Sequence, residues 1–286
     1  MGCKCSKINE NFIQNLKIKM SNIDLNIYKD LAEKAMLEAS DLLIGKFRPN
    51  NPSDLKRFYK SVNALVTDAD LASDKKITEN LNDSRLKANI YSEESQKIID
   101  KNSSLFWLID PLCGTVPYSL GMDHWGINIA LRDKKELMLS CLSSPSIGEY
   151  FSVIHGQQVT RNGKSYTSTP PTKKLSESTI VLEVDGGAEW EKNMTQISKW
   201  ITNVSQINAF SSIAYPMTQM ALGRIPGGVF YGIDTVHFAA GAMIVESLGL
   251  FVTDKQGKKI DWSKKEPLDC VVVGWPNIHE ELINLM

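Results

Sequence analysis

The sequence predicts a layered mixture of helices and strands, with an α+β first half joined to an α/β second half. Three observations carry this. Residues 27–43 place Leu31, Ala35, Ala39, Leu42 and Leu43 at helical spacing. Residues 124–131, 136–142 and 149–154 read as a meander of three strands. Beyond residue 178, strand-like and helix-like runs alternate.

The first half is read in order as follows. The helix over 27–43 is followed by a Pro/Asn loop at 47–54. Val66-Thr67 leads into a second helix over 70–81, with Thr67 as its cap. Residues 88–92 and 105–110 are short apolar strands. The meander comes next, and the turn Asn162-Gly163 closes it. Residues 165–178, with Pro170-Pro171, form the connection. In the second half, 178–184 is a strand. A helix over 187–204 follows, with Trp190, Met194, Ile197, Ile201 and Val204 spaced 4, 3, 4, 3. A helix over 212–223 is closed by Gly223, and 228–231 is a strand. A small-residue helix over 235–248 is closed by Gly249, and 270–273 is the last buried strand. The chain divides into an extension (1–22, read as flexible), an N-terminal α+β half with the acidic motifs (23–165), and a C-terminal α/β half (166–286). No internal repeat is visible.

Composition bounds the function. The chain has 286 residues, with 42% hydrophobic and 23% charged, an ordinary globular profile. Net charge is −1, so no global field steers nucleic acid, and none is expected as a partner. The five cysteines (Cys3, Cys5, Cys113, Cys141, Cys270) are odd in number and scattered, which argues for a reducing, cytoplasmic compartment. No run approaches 18 apolar residues, and residues 1–20 lack the apolar core of a signal peptide. The start, Met-Gly-Cys-Lys-Cys-Ser, matches the N-myristoylation pattern at Gly2, with Cys3 and Cys5 placed for palmitoylation. In a eukaryote, two such anchors would tether the chain to a membrane. The alternatives are a prokaryotic source, where this acylation does not operate, or a true start at Met20.

Four acidic clusters stand out: Val66-Thr-Asp-Ala-Asp70, Tyr91-Ser-Glu-Glu-Ser95, Asp110-Pro-Leu-Cys-Gly-Thr115, and Asp234 ahead of Thr235-Val-His-Phe-Ala-Ala-Gly241. Each sits where a strand meets a turn or a helix begins. Singly, each is most simply a cap or a helix-dipole partner. Their order makes them specific. Four histidines (His124, His155, His237, His279) show no metal-ligand spacing and read as surface or satisfied core residues. There is no Gly-x-Ser-x-Gly and no P-loop.

In this order the chain resembles the inositol monophosphatase superfamily. That superfamily carries a Glu-Glu pair, then Asp-Pro-(Leu/Ile)-Asp-Gly-Thr, then Trp-Asp before an Ala-Gly-containing helix. The counterparts here are Glu93-Glu94, Asp110 to Thr115, and Ile233-Asp234 with Ala240-Gly241. The resemblance implies a layered αβαβα sandwich, homodimerisation and a small phosphorylated metabolite as partner. It also implies two or three Mg²⁺ sites. One ion would take Glu93, Asp110 and the Leu112 carbonyl; a second would take Asp110, residue 113 and Asp234; a third, weaker one would lie near Glu93. Asp70 and Thr115 would accept the proton of the attacking water. The N–H groups of Gly114 and Thr115 would hold phosphate, and Ser212 and Ile213 would touch substrate.

The departures matter as much. Cys113 stands where the pattern has a carboxylate, and a thiol is a poor Mg²⁺ ligand. The second Mg²⁺ site is therefore expected to be weakened. Three readings stay open: a weakened or altered phosphatase, a silent member that binds a phosphorylated ligand or a protein partner, and a redox switch with a lowered thiol pKa. Residues 225–233 hold no acid, which argues against inositol monophosphate as the preferred substrate. Val116-Pro-Tyr118 matches neither nucleotidase-type nor inositol-type members.

Overall fold

The computed structural model describes residues 24–61, 64–82, 86–171, 174–264 and 266–286. The extension at 1–22, with the acylation candidates Gly2, Cys3 and Cys5 and the alternative start Met20, lies outside them.

Helix α1 (Leu25–Lys46) starts where Asp24 caps it: the carboxylate accepts from Asn26 N at 3.0 Å. Its stripe of Ala32, Ala35, Met36, Ala39 and Leu43 is buried. A hairpin of β1 (Arg57–Ser61) and β2 (Ala64–Thr67) follows, which the sequence reading did not anticipate. Phe58 and Tyr59 remain 47% and 69% exposed, so β1 shows no inward apolar face to read. Helix α2 (Asp68–Leu81) begins two residues earlier than expected, because a capping box starts it. Thr67 Oγ1 accepts from Ala69 N, and Asp70 Oδ2 accepts from Thr67 N at 2.8 Å.

The first sheet is built from β3 (Asn89–Ser92), β4 (Gln96–Lys97) and β5 (Leu105–Cys113). The short α3 (Thr115–Ser119) separates these from β6 (Gly126–Asp133), β7 (Glu136–Ser144), β8 (Glu149–Ile154), β9 (Thr160–Arg161) and β10 (Lys164–Ser165). The strand order is β10-β9-β8-β7-β6-β5-β3-β4, antiparallel except for the β3–β5 pair. Strand β5 runs on past Asp110 through a bulge. Asp110 pairs with Asn128 and Cys113 with Gly126, so one extra residue is accommodated between them. That bulge places the Asp-Pro-Leu-Cys motif at the sheet's end.

The second sheet begins with β11 (Thr179–Val184), α4 (Gly187–Ile201), β12 (Gln206–Asn208) and α5 (Ala214–Ala221). It continues with β13 (Gly227–Ile233), α6 (Thr235–Ser247), β14 (Phe251–Asp254), β15 (Leu268–Gly274) and α7 (Pro276–Ile283). Its order is β12-β11-β13-β15-β14, with β11 parallel to both neighbours.

Strand alternation sorts the core into layers. Trp107, Ile109, Ile127 and Ile129 pack under α1 and α2. Leu108, Ala130 and Leu142 face the other way, onto α5 and α6. Val181, Phe230 and Val271 meet the same helices from the second sheet. Ile180, Leu182, Val229 and Val272 turn outward to Ile197 and Trp200 of α4 and Ile278 and Leu282 of α7. The result is helix, sheet, helix, sheet, helix. The middle helix α6 is apolar on every side, as burial between two sheets requires. One expectation is corrected in α4: Trp190 and Met194 are exposed, while Asn193, Ile197 and Trp200 are buried. The helix docks through its C-terminal half, where Trp200 Nε1 donates to the Tyr231 hydroxyl at 3.0 Å.

Candidate active site

A cleft of about 280 Å³ opens at the bulged end of β5, between the starts of α3 and α6 and the end of β11. Glu93, Asp110, Cys113, Thr115, Glu183 and His237 are among its lining residues.

Asp110 is fully buried at the centre. Its Oδ1 accepts from Leu112 N at 3.2 Å, and its Oδ2 lies 2.6 Å from His237 Nδ1. Glu93 follows β3 and is docked by its own N–H, which donates to Ile109 O at 3.0 Å. Burial and the nearby Asp110 push the Glu93 carboxyl up to about 8. Lys60, from the β1–β2 hairpin, reaches Glu93 at 3.7 Å and is hydrogen-bonded to Glu94. Asp70 is held by the capping box, and its other oxygen accepts from Thr115 Oγ1 at 2.7 Å. Burial raises the Asp70 carboxyl to about 6, against the pull of its bonds from Thr67 and Thr115.

Cys113 is enclosed. Its Sγ accepts from Ile213 N at 3.1 Å and Ala214 N at 3.3 Å, and Ser212 Oγ donates to its carbonyl at 3.1 Å. Burial, with Asp110 beside it, drives the thiol well above its ordinary pKa. This reverses the lowered pKa on which the redox reading depended. Ser212 and Ile213 do line the cleft, but these polar groups are engaged by Cys113. Gly114 sits at φ +99°, and a Cβ there would meet His124 O at 2.6 Å. The first turn of α3 has no side-chain cap.

Asp234, expected as a ligand of the second ion, lies at the start of α6. Asp234 is the N-cap of α6, accepting from Val236 N at 3.1 Å. One turn further on, His237 faces Asp110. The ligating atoms of Asp110, Cys113 and His237 all lie within 4.8 Å of one another. His237 escaped the sequence reading because its partner is 127 residues away. The available signal was its place one turn closer to the Ala240-Gly241 pair. Burial alone would lower its imidazole pKa; Asp110 outweighs that and raises it. Two acids on the opposite wall were also missed. Glu183 accepts from Phe210 N at 2.5 Å and Ser211 N at 3.1 Å, and burial raises its carboxyl to about 8. Asp185 stands exposed just beyond β11.

The donor sets decide which ions fit. Glu93, Asp110 and the Leu112 carbonyl are all hard oxygens. That set suits Mg²⁺. Asp110, Cys113 and His237 offer oxygen, sulfur and nitrogen, which does not suit Mg²⁺.

The architecture and these motifs define a metal-dependent phosphatase scaffold. The chain belongs to the inositol monophosphatase family, whose model matches residues 25–286. An inositol monophosphatase of Dictyostelium discoideum is 29% identical over 275 residues, 93% of this chain and 97% of that protein. Nus factor SuhB of Escherichia coli K12 is 26% identical over 80% of this chain and 85% of its own. The extragenic suppressor protein SuhB of Bartonella henselae superposes with a TM-score of 0.80 at 23% identity, over 90% of this chain and 96% of that one. An IMPase/NADP phosphatase complexed with Mg²⁺ and phosphate gives 0.71 at 19%, over 87% and 91%. At these identities the solved structures speak for the fold alone, and they bear out the layered αβαβα sandwich. The family is one of Mg²⁺-dependent phosphomonoester hydrolases.

Proposed function

We propose that this chain hydrolyses a small phosphomonoester, with Thr115 and Asp70 as its proton-handling pair. The observation that carries this is the Thr115 Oγ1 to Asp70 Oδ1 hydrogen bond of 2.7 Å, beside the oxygens of Glu93, Asp110 and Leu112. Those three residues would hold Mg²⁺, which supplies a lowered water pKa and offsets phosphate charge. Thr115 Oγ1 takes a proton from the attacking water and passes its own to Asp70 Oδ1. With its carboxyl near 6, Asp70 is mostly ionised at neutral pH and able to accept it. Phosphate would lie over the N–H groups of Gly114 and Thr115.

Residues 225–233 bring no acid to the cleft, but Asp185 supplies a carboxylate from the opposite wall. That favours a substrate with hydroxyls, such as a sugar or polyol phosphate, over a purely anionic one.

The silent-binder reading has one observation in its favour. Glu93 and Asp110 already contact the chain's own cations, Lys60 and His237. Phosphate release from sugar, inositol, nucleotide and histidinol phosphates, with excess Mg²⁺, separates the two. Turnover that is lost in Thr115→Ala supports the hydrolase. No release from any member of the panel, with phosphate binding intact, would sink it and leave the binder.

A further inference from the structure

The second cation position of the cleft is lined by a mixed donor set, and that mismatch is informative. Mg²⁺ takes hard oxygens and near-ideal octahedral geometry. A thiol, an imidazole and one carboxylate are the donors of Zn²⁺ and its borderline-soft neighbours, Co²⁺ included. Here they converge from two distant segments: Asp110 and Cys113 across the β5 bulge, and His237 from the first turn of α6.

We propose that Asp110, Cys113 and His237 form a site for a borderline-soft divalent ion of the Zn²⁺ class in place of a second Mg²⁺. Three protein ligands facing a cleft leave a fourth position open to water or substrate, the arrangement of a catalytic rather than a closed structural site. The surroundings of the sulfur fit this role. Two backbone N–H groups, from Ile213 and Ala214, already point at Sγ, and such bonds stabilise a metal-bound thiolate and fix its direction. Ser212 Oγ holds the Cys113 carbonyl, so the thiol sits on a braced backbone. On binding, the thiol proton leaves to solvent and the sulfur becomes the anionic ligand.

The fit is close but not preformed. A tetrahedral ion with bonds of roughly 2.0–2.3 Å needs ligand atoms about 3.3–3.8 Å apart. The trio lies within 4.8 Å, while Asp110 Oδ2 and His237 Nδ1 are 2.6 Å apart. The ion would therefore enter between the aspartate and the imidazole, opening that contact by about an ångström and drawing Sγ inward. His237 and Asp110 are held on a helix and a strand, so side-chain rotation suffices.

This deepens the hydrolase reading at the same cleft, but it can be tested by metal binding without turnover. The probe is Co²⁺ added to the full chain in a Cys3→Ser/Cys5→Ser background, because the two N-terminal thiols could also bind cobalt. One equivalent should produce thiolate-to-cobalt charge-transfer absorption in the near ultraviolet. Zn²⁺ should abolish it, and a hundredfold excess of Mg²⁺ should not. Cys113→Ser should lose the band, with circular dichroism reporting the fold. His237→Asp should weaken Zn²⁺ retention at least tenfold. If the background protein shows no band with Co²⁺, or if Mg²⁺ displaces Zn²⁺ at comparable concentrations, the proposal is overturned. The trio is then an imidazole–carboxylate pair against an inert thiol. A band in a protein that releases no phosphate would keep the metal site and discard the hydrolase.

Discussion

Thr115 Oγ1 donates to Asp70 Oδ1 at 2.7 Å, joining the first turn of α3 to the first turn of α2 across 45 residues of chain. Asp70 also closes the α2 capping box, so one carboxylate serves a helix start and the cleft at once. Thr115→Ala removes only the cleft interaction. It should lower phosphomonoester turnover by about 10²–10⁴-fold and leave the unfolding midpoint nearly unchanged. Asp70→Asn should lower turnover similarly, but it removes a buried carboxylate whose raised pKa disfavours the ionised form, so at pH 7 its stability should equal or exceed that of native protein. Steady-state rates and urea melts on the same preparations check both. Equal activity in Thr115→Ala and native protein would remove Thr115 from the chemistry.

Replacing the soft donors should move the cleft toward Mg²⁺. Ile213 N and Ala214 N, which now donate to Cys113 Sγ, can donate equally to a carboxylate, so Cys113→Asp is tolerated. It is not sufficient, because His237 still faces Asp110. The double variant Cys113→Asp/His237→Asp should raise turnover at limiting Mg²⁺ by roughly 10–10³-fold over native, about 1.4–4 kcal/mol of barrier. Each single variant should gain less. A Mg²⁺ titration of all four proteins checks this, and a double variant no better than native refutes it.

How much of this was legible is clearest at particular residues. Apolar periodicity exposed the elements that bury one whole face, α1 and the β6–β8 meander, while α6, apolar all round, was marked by its small residues and the closing Gly249. Periodicity failed at β1, β12 and β14, which are short and largely lack a buried apolar face, and at α7, a short closing helix. The Asp110–Thr115 motif showed the cleft because its residues are contiguous and a bulge gathers them. His237 and Glu183 were hidden for the converse reason. Their partners lie far away in the chain, at Asp110 and at Phe210 and Ser211, and only the stacking of the two sheets brings them in. The exposed start of α4 misled because a helical apolar stripe says which residues share a face, not how much of it docks.

Gly114 bears on both fold and site. It holds φ at +99°, and an added Cβ would meet His124 O at 2.6 Å and Ser212 Cβ at 2.9 Å. Gly114→Ala therefore strains the backbone, at about 1–2 kcal/mol for the left-handed region alone. It also pushes on the Ser212 that braces Cys113. Expected is a loss of about 2–4 kcal/mol in chemical denaturation, together with weaker Co²⁺ charge transfer. Stability within 0.5 kcal/mol of native, the size of an ordinary surface change, would show that the turn relaxes freely.

Glu183 should set part of the pH dependence of stability. Its folded carboxyl lies near 8 because of burial, while the unfolded carboxyl lies near 4.5. Between these values the folded chain keeps a proton that the unfolded chain has lost. The stabilisation is complete below about pH 4.5 and is lost as pH rises through 8. Its full size is on the order of a few kcal/mol, reduced because the N–H groups of Phe210 and Ser211 favour the charged form. Glu183→Gln keeps an acceptor for one of those N–H groups and cannot titrate. Urea unfolding at pH 5 and pH 8 should show native protein losing stability over that interval by more than the variant does. Parallel losses in the two proteins would mean that Glu183 titrates in the folded chain much as it does when unfolded.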